Sequence, residues 1–183
     1  KLFIMIKNYH MKERTKRVNE ELRQLIESNG LTYYIETYGC QMNVHESEKI
    51  AGVLENLGYR PAESRATADF LLFNTCCVRE HAEARLSGNI GALKDHKEGK
   101  SYGVIAVCGC MMQQKGAADK LMRRFPFVDM VFGTNSIHKL ESLLEDVLLN
   151  GQRAFCVEED ISIVEDLPVR RDGGPCAFVN IIY

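Results

Sequence analysis

The apolar residues of this chain fall into short blocks with two alternating periodicities. Lys12 to Ser28 places Val18, Leu22, Leu25 and Ile26 at helical spacing with charges on the other faces, and Asn29-Gly30 supplies a stop. An amphipathic helix is expected there. From Thr32 a strand–helix alternation begins. Thr32–Tyr38, rich in β-branched and aromatic residues, predicts a strand ending at Gly39. Val44–Leu57 carries Ile50, Val53, Leu54 and Leu57 on one face and predicts a helix closed by Gly58. Tyr59–Ala62 reads as a short strand. Asp69–Asn74, with Phe70, Leu71, Leu72 and Phe73, reads as a fully buried one. A helix is expected from Glu80 to about His96, a strand over Gly103–Val107 and a helix around Ala117–Arg124. Val128–Phe132 predicts a last parallel strand, and Ser136–Leu149 a helix with Ser136 as its N-cap.

Short apolar strands alternating with amphipathic helices imply a parallel sheet covered on both faces. The expected fold class is α/β: a three-layer sandwich with a roughly five-stranded parallel sheet, Rossmann- or flavodoxin-like, preceded by an extra N-terminal helix. Residues 1–31 are expected to form the helical extension, 32–150 the sheet domain and 151–183 a linker leading into something else. That last stretch is acidic at Glu158, Glu159, Asp160, Glu165 and Asp166. It then reads Arg170-Arg171-Asp172-Gly173-Gly174 before a strand over Ala177–Tyr183 that stops abruptly. With Lys1 in place of an initiator Met, a piece of a longer protein is expected.

Composition narrows the class. A chain of 183 residues with 45% apolar and 26% charged residues excludes disordered, collagen-like and small disulfide-stapled chains. The net charge of −2 offers no global basic field for nucleic acid, although residues 1–23 carry seven Lys/Arg against three Glu. No apolar run approaches the ~18 residues of a membrane span, and Leu2–Ile6 is too short for the core of a signal peptide. A cytoplasmic protein is expected. Seven cysteines without a secretory signal read as metal or redox residues rather than a disulfide framework.

Ligands of open α/β sheets bind in the crevice beyond the carboxyl ends of the strands. Three cysteines fall there: Cys40 after the first strand, Cys76 after the buried strand and Cys110 after the next, 36 and 34 residues apart. Each separation is about one βαβ unit, so equivalent loops would bring the three thiols to one sheet edge. Each thiol also precedes a helix, whose positive end favours an anionic ligand set. Gly39 and Gly109 allow close backbone approach where a bulky inorganic cluster would sit. Three thiolates leave one iron of a 4Fe–4S cube open to an outside ligand, the arrangement expected of a reactive site.

Other candidates read as structural. Free cysteine is among the most buried residue types, and Cys77 should face away from the crevice if Cys76 faces it. Cys108 would share a face with Cys110 unless Gly109 breaks the strand. Cys156 and Cys176 lie outside the repeat, as packing or exposed residues. His45 is expected on a helix surface. Arg79 and Glu80 could pair with each other or with a cluster's charge, exposed pairs of this type usually contributing little, and the basic N-terminal helix is expected to present a solvated face.

On these residues the sequence resembles the methylthiotransferase family of radical-SAM enzymes, in its N-terminal domain. The matching stretches are Tyr38-Gly39-Cys40-Gln41-Met42-Asn43 with Glu46-Ser47-Glu48, Asn74-Thr75-Cys76 with Val78-Arg79-Glu80, and Gly109-Cys110-Met111. The overlap runs from about Tyr33 to Leu149, plus a linker like the one that leads into the radical-SAM barrel. The Gly-Cys-Gln-Met-Asn wording resembles the tRNA branch, which methylthiolates N6-isopentenyladenosine beside the anticodon. The ribosomal-protein branch tends toward Gly-Cys-Pro-Lys-Asn and the threonylcarbamoyladenosine branch toward Gly-Cys-Lys-Val-Asn.

The resemblance implies an auxiliary 4Fe–4S cluster on Cys40, Cys76 and Cys110, whose open iron would hold the sulfur or methylthio group to be inserted. A second 4Fe–4S cluster and S-adenosylmethionine would belong to the barrel, on a Cys-x3-Cys-x2-Cys motif that this chain does not contain. The family's RNA-binding module is likewise not in this sequence, so the fragment is expected to bind a cluster without turning over. The tRNA anticodon loop is the implied partner, with no membrane involved. No residue receives a catalytic role.

Three rivals compete with this assignment: a receiver or flavodoxin-like binding module, a zinc or thiol-redox domain, and another methylthiotransferase branch. A receiver needs a phosphoacceptor Asp where Asn74-Thr75-Cys76 stands. A flavodoxin needs a hydroxyl- and Gly-rich loop where Gly39-Cys40-Gln41-Met42 stands. No Cys-x2-Cys pair occurs to favour zinc.

Overall fold

The computed structural model describes residues 20–76, 82–157 and 168–170, and in 82–85 the backbone alone. The expected helix over 12–19, Cys77, Arg79, Glu80, the acidic stretch from Glu158 to Asp166, Cys176 and the strand Ala177–Tyr183 lie outside these residues.

Residues 20–28 form helix α1, which buries Leu22 and Ile26. The alternation then gives β1 (Thr32–Thr37), α2 (Gln41–Asn56), β2 (Arg60–Pro61), β3 (Phe70–Thr75) and α3 (Ala82–Gly91). Next come β4 (Val104–Gly109), a 3-10 turn (Cys110–Gln113), α4 (Ala117–Arg124) and β5 (Met130–Phe132). A second 3-10 segment (Thr134–Lys139), α5 (Leu140–Leu148) and β6 (Ala154–Cys156) complete the order. Among these residues no helix is long and apolar enough to cross a membrane.

The strands form one all-parallel sheet in the order β2-β1-β3-β4-β5-β6. Every residue of β3 and β4 is buried, as expected for strands covered on both faces. Alternate residues serve two cores. Phe70, Leu72, Ala106 and Cys108 point to the face covered by α1, α2 and α5, while Leu71, Phe73, Ile105 and Val107 point to the face covered by α3 and α4. This is the expected three-layer sandwich with one more strand than anticipated.

That sixth strand lies where a linker was expected. β6 pairs with β5 through Met130–Ala154, Val131–Phe155 and Phe132–Cys156, so Cys156 belongs to the sheet. The chain reaches β6 through α5, which packs on the α2 face rather than the α3 face. The β5–α5–β6 connection therefore has the opposite hand to β3–α3–β4, a rare arrangement. Ser136 does not cap a helix. It sits in the 3-10 segment, fully buried, with its hydroxyl unbonded among the described residues, while α5 starts after Lys139. The preceding Gly133-Thr134 turn takes the chain across the sheet edge before the helix can begin.

Residues 168–170 lie back across α2. The Arg170 backbone N–H donates to the Glu48 carbonyl (3.0 Å), and its guanidinium donates to Tyr33 Oη (2.7 Å) and pairs with Glu55 (3.3 Å). A side chain at Gly52 would stand 2.3 Å from the Pro168 carbonyl oxygen, so only glycine leaves room for this crossing.

Candidate functional site

The order of strands decides which loops meet. β1 leads to β2 on one side and β3 lies on the other, so the chain direction reverses at the β1/β3 boundary. In open α/β sheets this reversal opens a crevice at the carboxyl edge. Cys40 leaves β1 and Cys76 leaves β3, one on each side of the boundary, while Cys110 leaves β4 next to β3.

Two glycines bring these turns together. Gly39 has φ +147°, and a side chain there would stand 2.7 Å from Cys76 Cβ and 3.0 Å from the Asn43 amide. Cys76 thus occupies the space a residue other than glycine would need beside Cys40. Gly109, registered opposite Thr75, has φ +110° and would place a Cβ 2.1 Å from the Thr75 carbonyl oxygen. The positive φ turns the chain out of β4 into the 3-10 turn. The strand's alternation ends there, which separates Cys110 from Cys108.

Hydrogen bonds join the three turns. The Cys40 thiol donates to Asn43 Oδ1 (3.3 Å), and Asn43 Nδ2 donates to Asn74 Oδ1 (3.0 Å) and to the Thr75 carbonyl (3.1 Å). The Cys110 thiol reaches the same carbonyl at 3.7 Å, a long contact suited to sulfur. Asn74 Nδ2 returns bonds to the Asn43 carbonyl (2.8 Å) and Ser47 Oγ (3.0 Å), and Thr75 Oγ1 donates to the Cys108 carbonyl (2.8 Å). The Thr75 carbonyl, one residue before Cys76, is the common point. Cys40 is exposed, Cys110 half-buried and Cys76 buried. Among the described residues no three His, Cys, Asp or Glu side chains converge on a point that would hold a metal ion. The thiols are arrayed along the edge, bridged by an amide and a carbonyl.

Cys108 is a core thiol: it packs in the α2-side core, and burial pushes its pKa up, with Glu46 and Cys110 adding in the same direction. Burial likewise raises the Glu46 carboxyl to about 7, partly offset by Lys49. His45 is not on the helix surface as expected; it is buried with Nδ1 3.3 Å from Glu48. Met42 and Val44, on either side of the buried Asn43, are exposed.

The Asn43–Asn74 pair received no role in the sequence reading. The available signal was an amide closing the apolar run Phe70–Phe73, since a polar group buried at a strand end needs a partner.

The family described as "Uncharacterized protein family UPF0004" matches residues 32–133, which span all three cysteine turns. A tRNA-2-methylthio-N(6)-dimethylallyladenosine synthase of Caldicellulosiruptor saccharolyticus is 52% identical over 153 residues, 83% of this chain and 32% of the relative. The synthase of the same name from Thermoanaerobacter sp. (strain X514) is 44% identical over 179 residues, 96% of this chain and 38% of the relative. The Clostridium tetani synthase is 47% identical over 153 residues, 83% and 34%. The chain spans about a third of the length of these curated relatives. With a parallel sheet, three cysteine turns packed together by two glycines and these matches, the chain belongs to the UPF0004 family, the N-terminal domain of the methylthiotransferases.

Proposed function

We propose that this chain is the cluster-binding domain of a tRNA methylthiotransferase that acts on N6-isopentenyladenosine beside the anticodon. Cys40, Cys76 and Cys110 would hold an auxiliary 4Fe–4S cluster. One observation carries the proposal: the Cys40 and Cys110 thiols converge on the Thr75 carbonyl, one through Asn43 and the other directly, and Cys76 is the next residue in the chain. The donor set fits, because thiolates are the usual ligands of such clusters. Gly39 and Gly109 let the cysteine turns pack against one another, which a side chain at either position would prevent. When bound, a cluster ligated by three cysteines supplies an iron without a protein ligand, where the sulfur to be inserted can reside.

The residues of this chain position that chemistry. Asn43 links the Cys40 turn to the Thr75 backbone, and Asn74 clamps the first turn of α2 from below. Cys40 stands at the start of α2 without a side-chain cap, so the positive end of the helix faces the thiol and favours an anionic ligand set. S-adenosylmethionine, a second 4Fe–4S cluster and the RNA-binding module belong, in this proposal, to the remainder of the full-length cytoplasmic protein.

Anaerobic reconstitution of this chain with ferrous iron and sulfide tests the assignment. The parent should take up about four irons per chain and acquire thiolate-to-iron absorption. Cys40→Ser, Cys76→Ser and Cys110→Ser should each lower iron retention sharply, with circular dichroism confirming a folded chain. Cys108→Ser should retain the parent's iron content. Full iron uptake by Cys76→Ser, or one zinc and no iron in the reconstituted parent, overturns it.

A further inference from the structure

Residues 115–124 carry four exposed cations, Lys115, Lys120, Arg123 and Arg124, against one acid, Asp119, in a chain of net charge −2. On α4, Lys120 is three and four residues from Arg123 and Arg124, which sets these charges side by side on the helix surface. Lys115, Lys120 and Arg124 border a cavity of about 220 Å³ between α3 and α4. Its floor includes Met111, Met112 and Phe125, and its rim Lys115, Lys120 and Arg124. The Arg124 guanidinium lies 5.3 Å from the centre of the Phe125 ring, which holds a planar cation over the apolar floor. At its upper end the cavity starts one residue beyond Cys110, because Met111 and Met112 belong to the same 3-10 turn.

We propose that this groove binds single-stranded RNA, taking one unstacked base on the Met–Phe floor and the adjoining phosphates on the Lys–Arg rim. The inference rests on the tRNA reading above and assigns it a contact surface within this domain. Met111, Met112 and Phe125 are largely buried, so the base would meet the apolar bottom of the cavity and the Arg124 guanidinium plane, neither of which reads base identity, while Arg and Lys neutralise the backbone. Size favours RNA over an acidic protein segment. A cavity of about 220 Å³ suits one planar base, whereas an amphipathic partner helix presents a row of apolar anchors over two turns. Position favours it too, since a strand lying along α4 is led up to the cysteine edge.

The test titrates this chain with a fluorescein-labelled anticodon stem–loop RNA, followed by anisotropy at low and moderate salt. Lys115→Glu with Arg124→Glu should weaken binding about tenfold or more and flatten its salt dependence. Arg23→Glu with Arg60→Glu makes the same charge change on α1 and at the β2 edge, and should weaken it far less. Equal losses in the two variants, or parental affinity in the groove variant, overturn the proposal, including the case in which the groove instead captures an acidic peptide. Iron uptake measured on the same proteins separates the two proposals. The groove variant should keep its iron, and a chain that binds RNA through the groove yet takes up no iron sinks the cluster assignment alone.

Discussion

The turns after β4 and β5 share one plan: a short buried strand, a glycine and a 3-10 segment. Their constraints differ. Gly109 holds φ +110° against the backbone of Thr75, and a Cβ there meets atoms that cannot yield. Gly133 has φ −82°, open to any residue, and a Cβ there meets the end of the Gln113 side chain at 2.5 Å, which can swing aside. Buried polar groups divide the same way. Asn74, at the end of β3, makes three side-chain hydrogen bonds, whereas Ser136, beyond β5, has a hydroxyl with none among the described residues. Backbone tightness and polar satisfaction concentrate where the cysteines are. A shared local plan therefore says little about where function lies; the packing around it does.

The sharpest break of this contrast is a pair of glycine substitutions. Gly109→Ala should cost about 3–5 kcal/mol, from both the forbidden φ and the backbone clash. Gly133→Ala should cost about 1 kcal/mol or less. Urea unfolding of the two variants reads the difference, and equal midpoints would remove the distinction between the turns.

Next in size is the polar pair. Asn74→Ala removes three hydrogen bonds, leaving the Asn43 amide only the Thr75 carbonyl and Ser47 Oγ only Thr37, and should destabilise by about 2–3 kcal/mol. Ser136→Ala removes a hydroxyl already without a partner and should be neutral or slightly stabilising. A Ser136→Ala loss as large as that of Asn74→Ala would show that the β5 side holds a polar network of equal weight.

The smallest effect is a pH slope on the cysteine side. Glu46 rises from the ordinary 4.5 to about 7 in the folded protein, chiefly by burial. An acid with a raised folded pKa favours the folded state fully below 4.5, and that contribution fades as pH rises through about 7. Stability should fall across this window by on the order of 2 kcal/mol, discounted for partial exposure. Glu46→Gln should flatten the fall, and an unchanged slope in the variant would place its origin elsewhere.

Much of this was legible in the residues. The all-apolar runs of β3 and β4 announced a sheet buried on both faces, and cysteines directly after strands placed thiols at the carboxyl edge. Short elements escaped because local patterns are weak there. Ala154–Cys156 is a three-residue strand whose existence depends on β5 lying alongside it. His45 was expected on the helix surface, yet it lies on the covered side of the first turn of α2, and Glu48 partners the ring. Asn43 and Asn74 stood in the motifs without a role, because their partnership spans two strands' ends.

The amino-acid order alone determined the alternation of strands and helices, the positions of Cys40, Cys76 and Cys110 directly after their strands and the family to which the chain belongs, since periodicity and motif spacing are properties of neighbouring residues. Only the tertiary structure decided that β1 sits between β2 and β3, that α5 returns to the α2 face, and that the Cys40 and Cys110 turns meet at the Thr75 carbonyl. Strand order is a choice among non-local pairings. It is settled by which arrangement buries both faces of the central strands at once, and no window of the chain contains that information.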